Sequence, residues 1–148
     1  MLEELNKEEL IAEIEKICTK FEVVKQYFEI ELSGDAGKYL QKAKKDIDKQ
    51  FFTSAGASRN AKASRLNTIT KAFEQISIYK EDVIELILYR IEQTIKHKAK
   101  RGELTDALHQ STIRVMARVQ AMIAAEGLEE KYADRTKPFS APYWQMPL

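Results

Sequence analysis

Residues 82–95 read DVIELILYRIEQTI and form the densest apolar run in the chain. In a helix, the apolar residues of this run that are three or four positions apart share one face. Leu86 and Tyr89 widen this apolar face to most of the circumference. The run is too long for a typical strand and contains no turn residue, although its β-branched residues favour strands. We therefore predict a buried central helix that other segments cover. Its apolar residues are Val83, Ile84, Leu86, Ile87, Leu88, Tyr89, Ile91 and Ile95.

The composition is typical of a single helical domain. The chain has 148 residues, 44% of them apolar and 32% charged, with only five glycines and three prolines. A chain of this length buries enough surface to fold without a metal or a disulfide. It contains no apolar run long enough to cross a membrane and no signal peptide at its start. We therefore expect a soluble, cytoplasmic protein without a membrane anchor.

Charge is unevenly distributed along the chain. Residues 1–35 carry a net charge of −6 and residues 38–71 a net charge of +7, although the whole chain is close to neutral at +1. Acidic and basic segments that fold side by side can compensate each other, but an exposed pair contributes only about 0–1 kcal/mol. The pattern predicts neighbouring segments of opposite charge.

The first helix is predicted over residues 7–32, about 39 Å at roughly 1.5 Å per residue. Asn6 and Glu9 have the spacing of a capping box at its start. Cys18 lies beside the apolar stripe, and we expect its thiol to be buried and inert. The stripe itself is expected to face the core, and the alternative is a coiled-coil seam for dimerisation. It consists of Leu10, Ile14, Ile17, Phe21, Val24, Phe28 and Leu32.

The second helix, predicted over residues 38–51, has two distinct faces. Leu40, Ala43, Ile47 and Phe51 share one face, and four lysines share the opposite one. Three interpretations remain open for the lysines: a solvated or internally compensated face, contact with nucleic-acid phosphates, or contact with an acidic protein. The basic pattern continues through the next loop into a third helix. The candidate phosphate contacts are Lys38, Lys42, Lys45, Lys49, Arg59, Lys62 and Arg65.

Two further features complete the predicted bundle of about five helices. Cations and Gly102 end the central helix, and Thr105 is a plausible N-cap for a fifth helix. Residues 136–148 contain every proline and the only tryptophan. We predict that this tail is an extended strap on the bundle of residues 1–135, lying in a groove of its own chain or of a neighbour. Its candidate docking residues are Phe139, Tyr143 and Trp144.

Residues suited to catalysis or metal binding do not form a recognisable pattern. The two histidines, His97 and His109, lie on different predicted helices, and only Asp106 has a helical spacing to one of them. Zinc sites need three or four protein ligands, and a serine or cysteine nucleophile needs an assignable base. We therefore expect no enzymatic activity, no cofactor and no metal.

Three stretches resemble one family. Residues 5–11 (LNKEELI), 21–28 (FEVVKQYF) and 43–52 (AKKDIDKQFF) resemble the bacterial domain-of-unknown-function family 6155, and the similarity continues in residues 86–89 (LILY). The resemblance covers roughly the first two thirds of the chain. It implies a bacterial, helical, cytoplasmic domain with a basic stretch after the second helix. It assigns no catalytic or binding residue.

These observations together predict an all-α, single-domain bundle whose first and central helices pack along each other. The predicted function is a non-catalytic interaction module that binds a protein partner or associates with itself. The alternative is a nucleic-acid-binding protein that contacts phosphates through the basic helix face and loop, without reading bases.

Overall fold

The computed structural model describes residues 4–145, and these fold into a helical bundle. The predicted all-α class is confirmed. Within the described residues there are eight α-helices, a short 3-10 helix and no strand, apart from one isolated bridge between Phe52 and Ser58. No helix in this part of the chain is long and apolar enough to span a bilayer. The α-helices are α1 (Lys7–Lys20), α2 (Glu22–Ser33), α3 (Gly37–Phe51), α4 (Ala63–Ile76), α5 (Lys80–Arg101), α6 (Asp106–Ala125), α7 (Glu129–Thr136) and α8 (Pro142–Gln145).

The central helix is α5, as the apolar run predicted. Its side chains Ile84, Leu86, Ile87 and Ile91 are completely buried. It packs mainly against α3 and α6, and also against α4. Because α5 is covered on several sides, polar side chains of the same helix, including Arg90, are buried as well.

The predicted first helix is wrong in its continuity and in its packing. Phe21 adopts an extended conformation, with φ −126° and ψ 112°, and divides the predicted helix into α1 and α2. The main partner of α2 outside this pair is α4, not α5. Ile30 of α2 is buried, whereas α1 has no buried residue, and Cys18 is only half-buried. The extended residue changes the direction of the chain, so α1 does not continue along the body.

Helix α3 is held to α5 by both apolar and polar contacts. Its four predicted core residues are buried. The hydroxyl of Tyr89 donates to the carboxylate of Asp48 at 2.7 and 2.8 Å. Lys44 of α3 donates to Glu85 of α5 at 3.1 Å. These links fix α3 so that its remaining lysines face outward.

An ion-pair cluster fastens α7 to α5. Arg135 donates to Glu85 and Glu92, with a distance of 2.9 Å from Nε to the Glu92 carboxylate. Burial favours the protonated form of Glu85, but the hydrogen bonds from Arg135 and Lys44 outweigh it and hold its pKa below the ordinary value. The cluster therefore keeps Glu85 ionised where three helices meet.

The predicted extended strap is also wrong. After α7 the chain forms a 3-10 helix, Lys137–Ser140, and then α8. Pro138 and Pro142 lie in the first turns of these helices, where no intrahelical bond from the proline nitrogen is required. The predicted boundary between residues 135 and 136 falls inside α7. Residues 146–148 of the predicted strap lie outside the described residues.

Candidate functional site

An apolar face of α1 is left exposed. Three large side chains of α1 and that of Phe21 directly after it are 40–52% accessible: Ile11 at 47%, Ile14 at 42%, Ile17 at 40% and Phe21 at 52%. Exposed apolar side chains are ordinary when scattered, but a contiguous set on one helix marks an interaction surface. We call this set, with two half-buried neighbours, the α1 stripe. It consists of Leu10, Ile11, Ile14, Ile17, Cys18 and Phe21.

Helix α2 also exposes apolar side chains. Val23 is 45% exposed, Tyr27 37% and Leu32 86%. The opposite side of α2 contributes Ile30 to the core. The apolar residues of α2 are thus divided between the bundle and solvent, whereas all the large apolar residues of α1 are at least partly exposed.

Charged residues follow one flank of the α1 stripe in a fixed order. At 100° per residue, Glu9, Glu13, Lys16 and Lys20 lie within about 60° of one another. All four are exposed. The flank is therefore acidic in the first half of α1 and basic in the second half.

The four predicted lysines of α3 lie on its outer face. The side chains of Lys38 and Lys42 are 76% and 74% exposed, although each is near a carboxylate: Glu29 at 3.9 Å and Asp46 at 3.1 Å. Neither Lys45 nor Lys49 forms an ion pair within the described part of the chain. The acids of α1 do not cover this face, so it remains open to solvent and only partly compensated.

The other predicted phosphate contacts lie where α3 ends and α4 begins. Arg59 is exposed in the connecting loop, and Lys62 and Arg65 are exposed at the start of α4. Lys62 lines a pocket together with Arg101 of α5. Arg101 was absent from the predicted set because the pattern only indicated that it ends a helix.

The tail is docked in a groove of its own chain. Phe139 and Trp144 are only 5% and 6% exposed. Trp144 stacks on His109 of α6 with ring centroids 5.4 Å apart, and the hydroxyl of Tyr143 accepts from the amide of Leu104 at 3.2 Å. A partner could reach the rings of Phe139 and Trp144 only by displacing the tail, whereas Tyr143 is half-buried.

The histidines belong to two separate surroundings. His109 of α6 is buried against the tail, and His97 of α5 is buried beside Phe51. Across residues 4–145, no cluster of three histidine, cysteine or carboxylate side chains is arranged to hold a metal ion.

Comparison with known proteins identifies a family. A family model described as "Family of unknown function (DUF6155)" matches residues 1–141. No curated protein matches the chain, and neither does any solved structure.

Proposed function

Because the chain belongs to the DUF6155 family, whose function is unknown, we propose its role from its structure: a non-catalytic protein-interaction module that self-associates through α1. The observation that carries this proposal is the exposed α1 stripe. The occupant of the stripe is the α1 stripe of a second copy, packed antiparallel.

The spacing of the stripe suits helix pairing. Leu10, Ile14, Ile17 and Phe21 follow at intervals of four, three and four, which is the alternation of a coiled-coil seam. In an antiparallel pair related by a two-fold axis, Ile14 packs on Ile17 of the second copy, and Leu10 packs on its Phe21. Each contact occurs twice, because such an interface uses the same surface on both copies.

The charged flank favours the antiparallel arrangement. With two-fold symmetry, equivalent flanks meet, so that Glu13 lies near Lys20 of the second copy and Glu9 lies on the other side of the same lysine. A parallel pair would instead place the two acidic N-terminal halves side by side. Charge complementarity of this kind mainly sets orientation and partner choice.

The proposed pairing is reversible. Helix α1 has 14 residues, about 21 Å at roughly 1.5 Å per residue. Burying the partly exposed side chains of the four apolar layers stabilises the dimer. The loss of translational and rotational freedom on association costs about 4–15 kcal/mol and offsets this gain. We therefore expect a dimer that dissociates on dilution.

A charge-reversal cycle tests both the pairing and its direction. Glu13→Lys and Lys20→Glu each replace two attractive cross-pairs with repulsive ones, so each should weaken the dimer about tenfold in sedimentation equilibrium. The double variant restores opposite charges and should recover most of the wild-type affinity. Weakening without recovery in the double variant would contradict the antiparallel arrangement, and a strictly monomeric wild type would contradict self-association itself.

The exposed lysines of α3 support a second candidate function, binding of nucleic-acid phosphates. Replacing Lys38, Lys42, Lys45 and Lys49 together by glutamine should then abolish binding of mixed-sequence DNA or RNA, measured by fluorescence anisotropy. Binding should also fall steeply between about 50 and 200 mM salt, because each neutralised phosphate releases counterions. If no probe binds at low salt, this candidate is excluded.

A further inference from the structure

One pocket lies at the end of the bundle where α4 begins, α5 ends and α6 begins. Its volume is about 450 Å³, within the range of small-molecule sites. One wall is apolar and includes Ala107 and Leu108. Ala61, Ala63 and Leu104 add further apolar surface, and Glu103 is the only acidic residue that lines the pocket. The polar and basic lining residues are Asn60, Lys62, Ser64, His97, Arg101 and Thr105.

His97 contributes a buried polar atom that lacks a partner. The side chain lines the pocket, and the residue is only 3% exposed. Its ring lies 5.2 Å from that of Phe51, and its Nδ1 has no hydrogen-bond partner in the described part of the chain. Buried polar atoms are nearly always satisfied in native proteins, so an unsatisfied one beside a pocket points to a bound group.

The N-terminus of α4 offers backbone donors at the same pocket. Lys62 is the N-cap, and its side chain makes no capping hydrogen bond. Within the described residues, the amides of Ala63 and Ser64 donate to no acceptor. Unpaired amides at the positive end of a helix dipole form a ready site for an anion.

Basic side chains surround these donors. Arg101 is held over the loop by hydrogen bonds to Ser58 at 3.0 Å and Asn60 at 2.8 Å. Lys62, at the start of α4, is exposed and lines the same pocket. Both cations are therefore positioned at the rim of the pocket, against the single acid Glu103.

A further cation lies deeper along the same face of α5. Arg90 is 1% exposed and donates to Asn67 at 2.9 Å and to Ser111 at 3.0 Å. Asn67 lies about one turn of α4 beyond Ser64, and Ser111 lies about one turn of α6 beyond Leu108 of the apolar wall. Both are therefore further into the bundle than the pocket. No carboxylate forms an ion pair with Arg90 in the described residues. Its uncompensated charge raises the electrostatic potential below the pocket, where an anion would be favoured.

We propose that this pocket binds a small phosphorylated molecule, with a phosphate monoester group at the start of α4 between Lys62 and Arg101. The amides of Ala63 and Ser64 donate to the phosphate oxygens. The organic part of the ligand lies against the apolar wall, and a rotation of the His97 ring toward the pocket lets a polar group of the ligand complete its hydrogen bonding.

A phosphate suits this lining because it has several acceptor oxygens and the pocket has several convergent donors. Two amides, a hydroxyl on Ser64 and two cations can all contact one phosphate group, as they do at other helix N-termini that bind phosphates. The apolar wall would remain uncovered around inorganic phosphate alone. We therefore expect an organic phosphate ester to bind more tightly than inorganic phosphate.

The test is a ¹H–¹⁵N NMR titration of the full chain with inorganic phosphate, glycerol 3-phosphate and glycerol. Both phosphates should shift the amide signals of Ala63 and Ser64, and glycerol should not. Lys62→Gln should weaken binding about tenfold, since it removes a charge-assisted hydrogen bond to the phosphate. Lys96→Gln on α5 is the matched control, because it removes the same charge from an exposed residue outside the pocket lining.

A second variant removes a backbone donor without disturbing the helix. Ala63 is the first residue of α4, and proline is well tolerated at that position. Ala63→Pro should keep the helical circular dichroism spectrum and the melting temperature, and should weaken phosphate binding about fivefold.

Three results would overturn the proposal. One is that the amide signals of residues 62–64 and 97 do not shift with either phosphate at about 10 mM. This concentration is well above the roughly millimolar dissociation constant that we expect. Another is equal weakening by Lys62→Gln and Lys96→Gln, which would indicate general attraction to a basic surface. A third is binding of oligonucleotides but of neither small phosphate, which would assign the basic residues to nucleic acid.

Discussion

The amide of Phe21 donates to the carbonyl of Ile17 at 2.9 Å and closes the last turn of α1, while Phe21 itself is extended and begins α2. One residue thus ends one helix and starts the next. The apolar residues before it remain exposed, whereas the next helix contributes Ile30 to the core. This division is the structural origin of the α1 stripe.

The docking of the tail can be tested at its tryptophan. Trp144→Ala should lower the free energy of unfolding by about 3–5 kcal/mol, because it removes a large buried side chain stacked on His109. Urea unfolding followed by circular dichroism measures the change. Tyr143→Phe should cost only about 1 kcal/mol, since it removes one hydrogen bond to the Leu104 amide. If Trp144→Ala cost no more than Tyr143→Phe, the tail would not be docked as described.

Acid stability should depend on the Arg135 cluster. The pKa of Glu85 is lower in the folded state than its ordinary value, so its ionised form stabilises the protein above the unfolded-state pKa. This contribution is lost as the pH falls through the folded-state pKa.

The burial of Glu85 raises its pKa, and the hydrogen bonds from Arg135 oppose this effect. Without Arg135 the pKa of Glu85 should therefore rise. Arg135→Gln should therefore shift acid unfolding, followed by circular dichroism, to higher pH. Arg118→Gln breaks a more exposed pair with Glu74 and serves as the control. An equal shift in both variants would contradict the role given to Glu85.

The buried guanidinium of Arg90 should contribute little net stability. Burial lowers its pKa to about 10, and among residues 4–145 the charge has no carboxylate partner. Arg90→Met fills a similar volume without a buried charge, and such replacements are often neutral or stabilising by about 1–4 kcal/mol. Chemical unfolding should show Arg90→Met to be at least as stable as wild type, and a loss above about 2 kcal/mol would contradict this view of the site. Arg90→Ala, which also leaves a cavity, should be clearly less stable.

Apolar periodicity was sufficient to predict the helical class, the central helix and the two faces of α3. Each of these features is determined by many residues together, so an unexpected backbone conformation at one residue does not alter it. The break at Phe21 was not predicted, because neither proline nor glycine marks it. A local pattern also does not contain the packing of α2 on α4.

The tail was predicted wrongly because proline was treated only as a helix breaker. Pro138 and Pro142 instead occupy first turns, where proline is compatible with a helix. The pocket was missed for a different reason. Its walls come from three separated segments, and neither Lys62 nor Arg101 carries a signal that the two approach one another.

The most direct test of self-association is sedimentation equilibrium of the wild type beside Ile14→Glu and Ala12→Glu. Both variants add the same charge to exposed residues of α1, but Ile14 lies in the α1 stripe and Ala12 lies on the opposite face. We expect the wild type and Ala12→Glu to dimerise as concentration rises, and Ile14→Glu to remain monomeric with an unchanged melting temperature. Equal dimerisation of all three proteins, or none in the wild type, would contradict pairing through the α1 stripe.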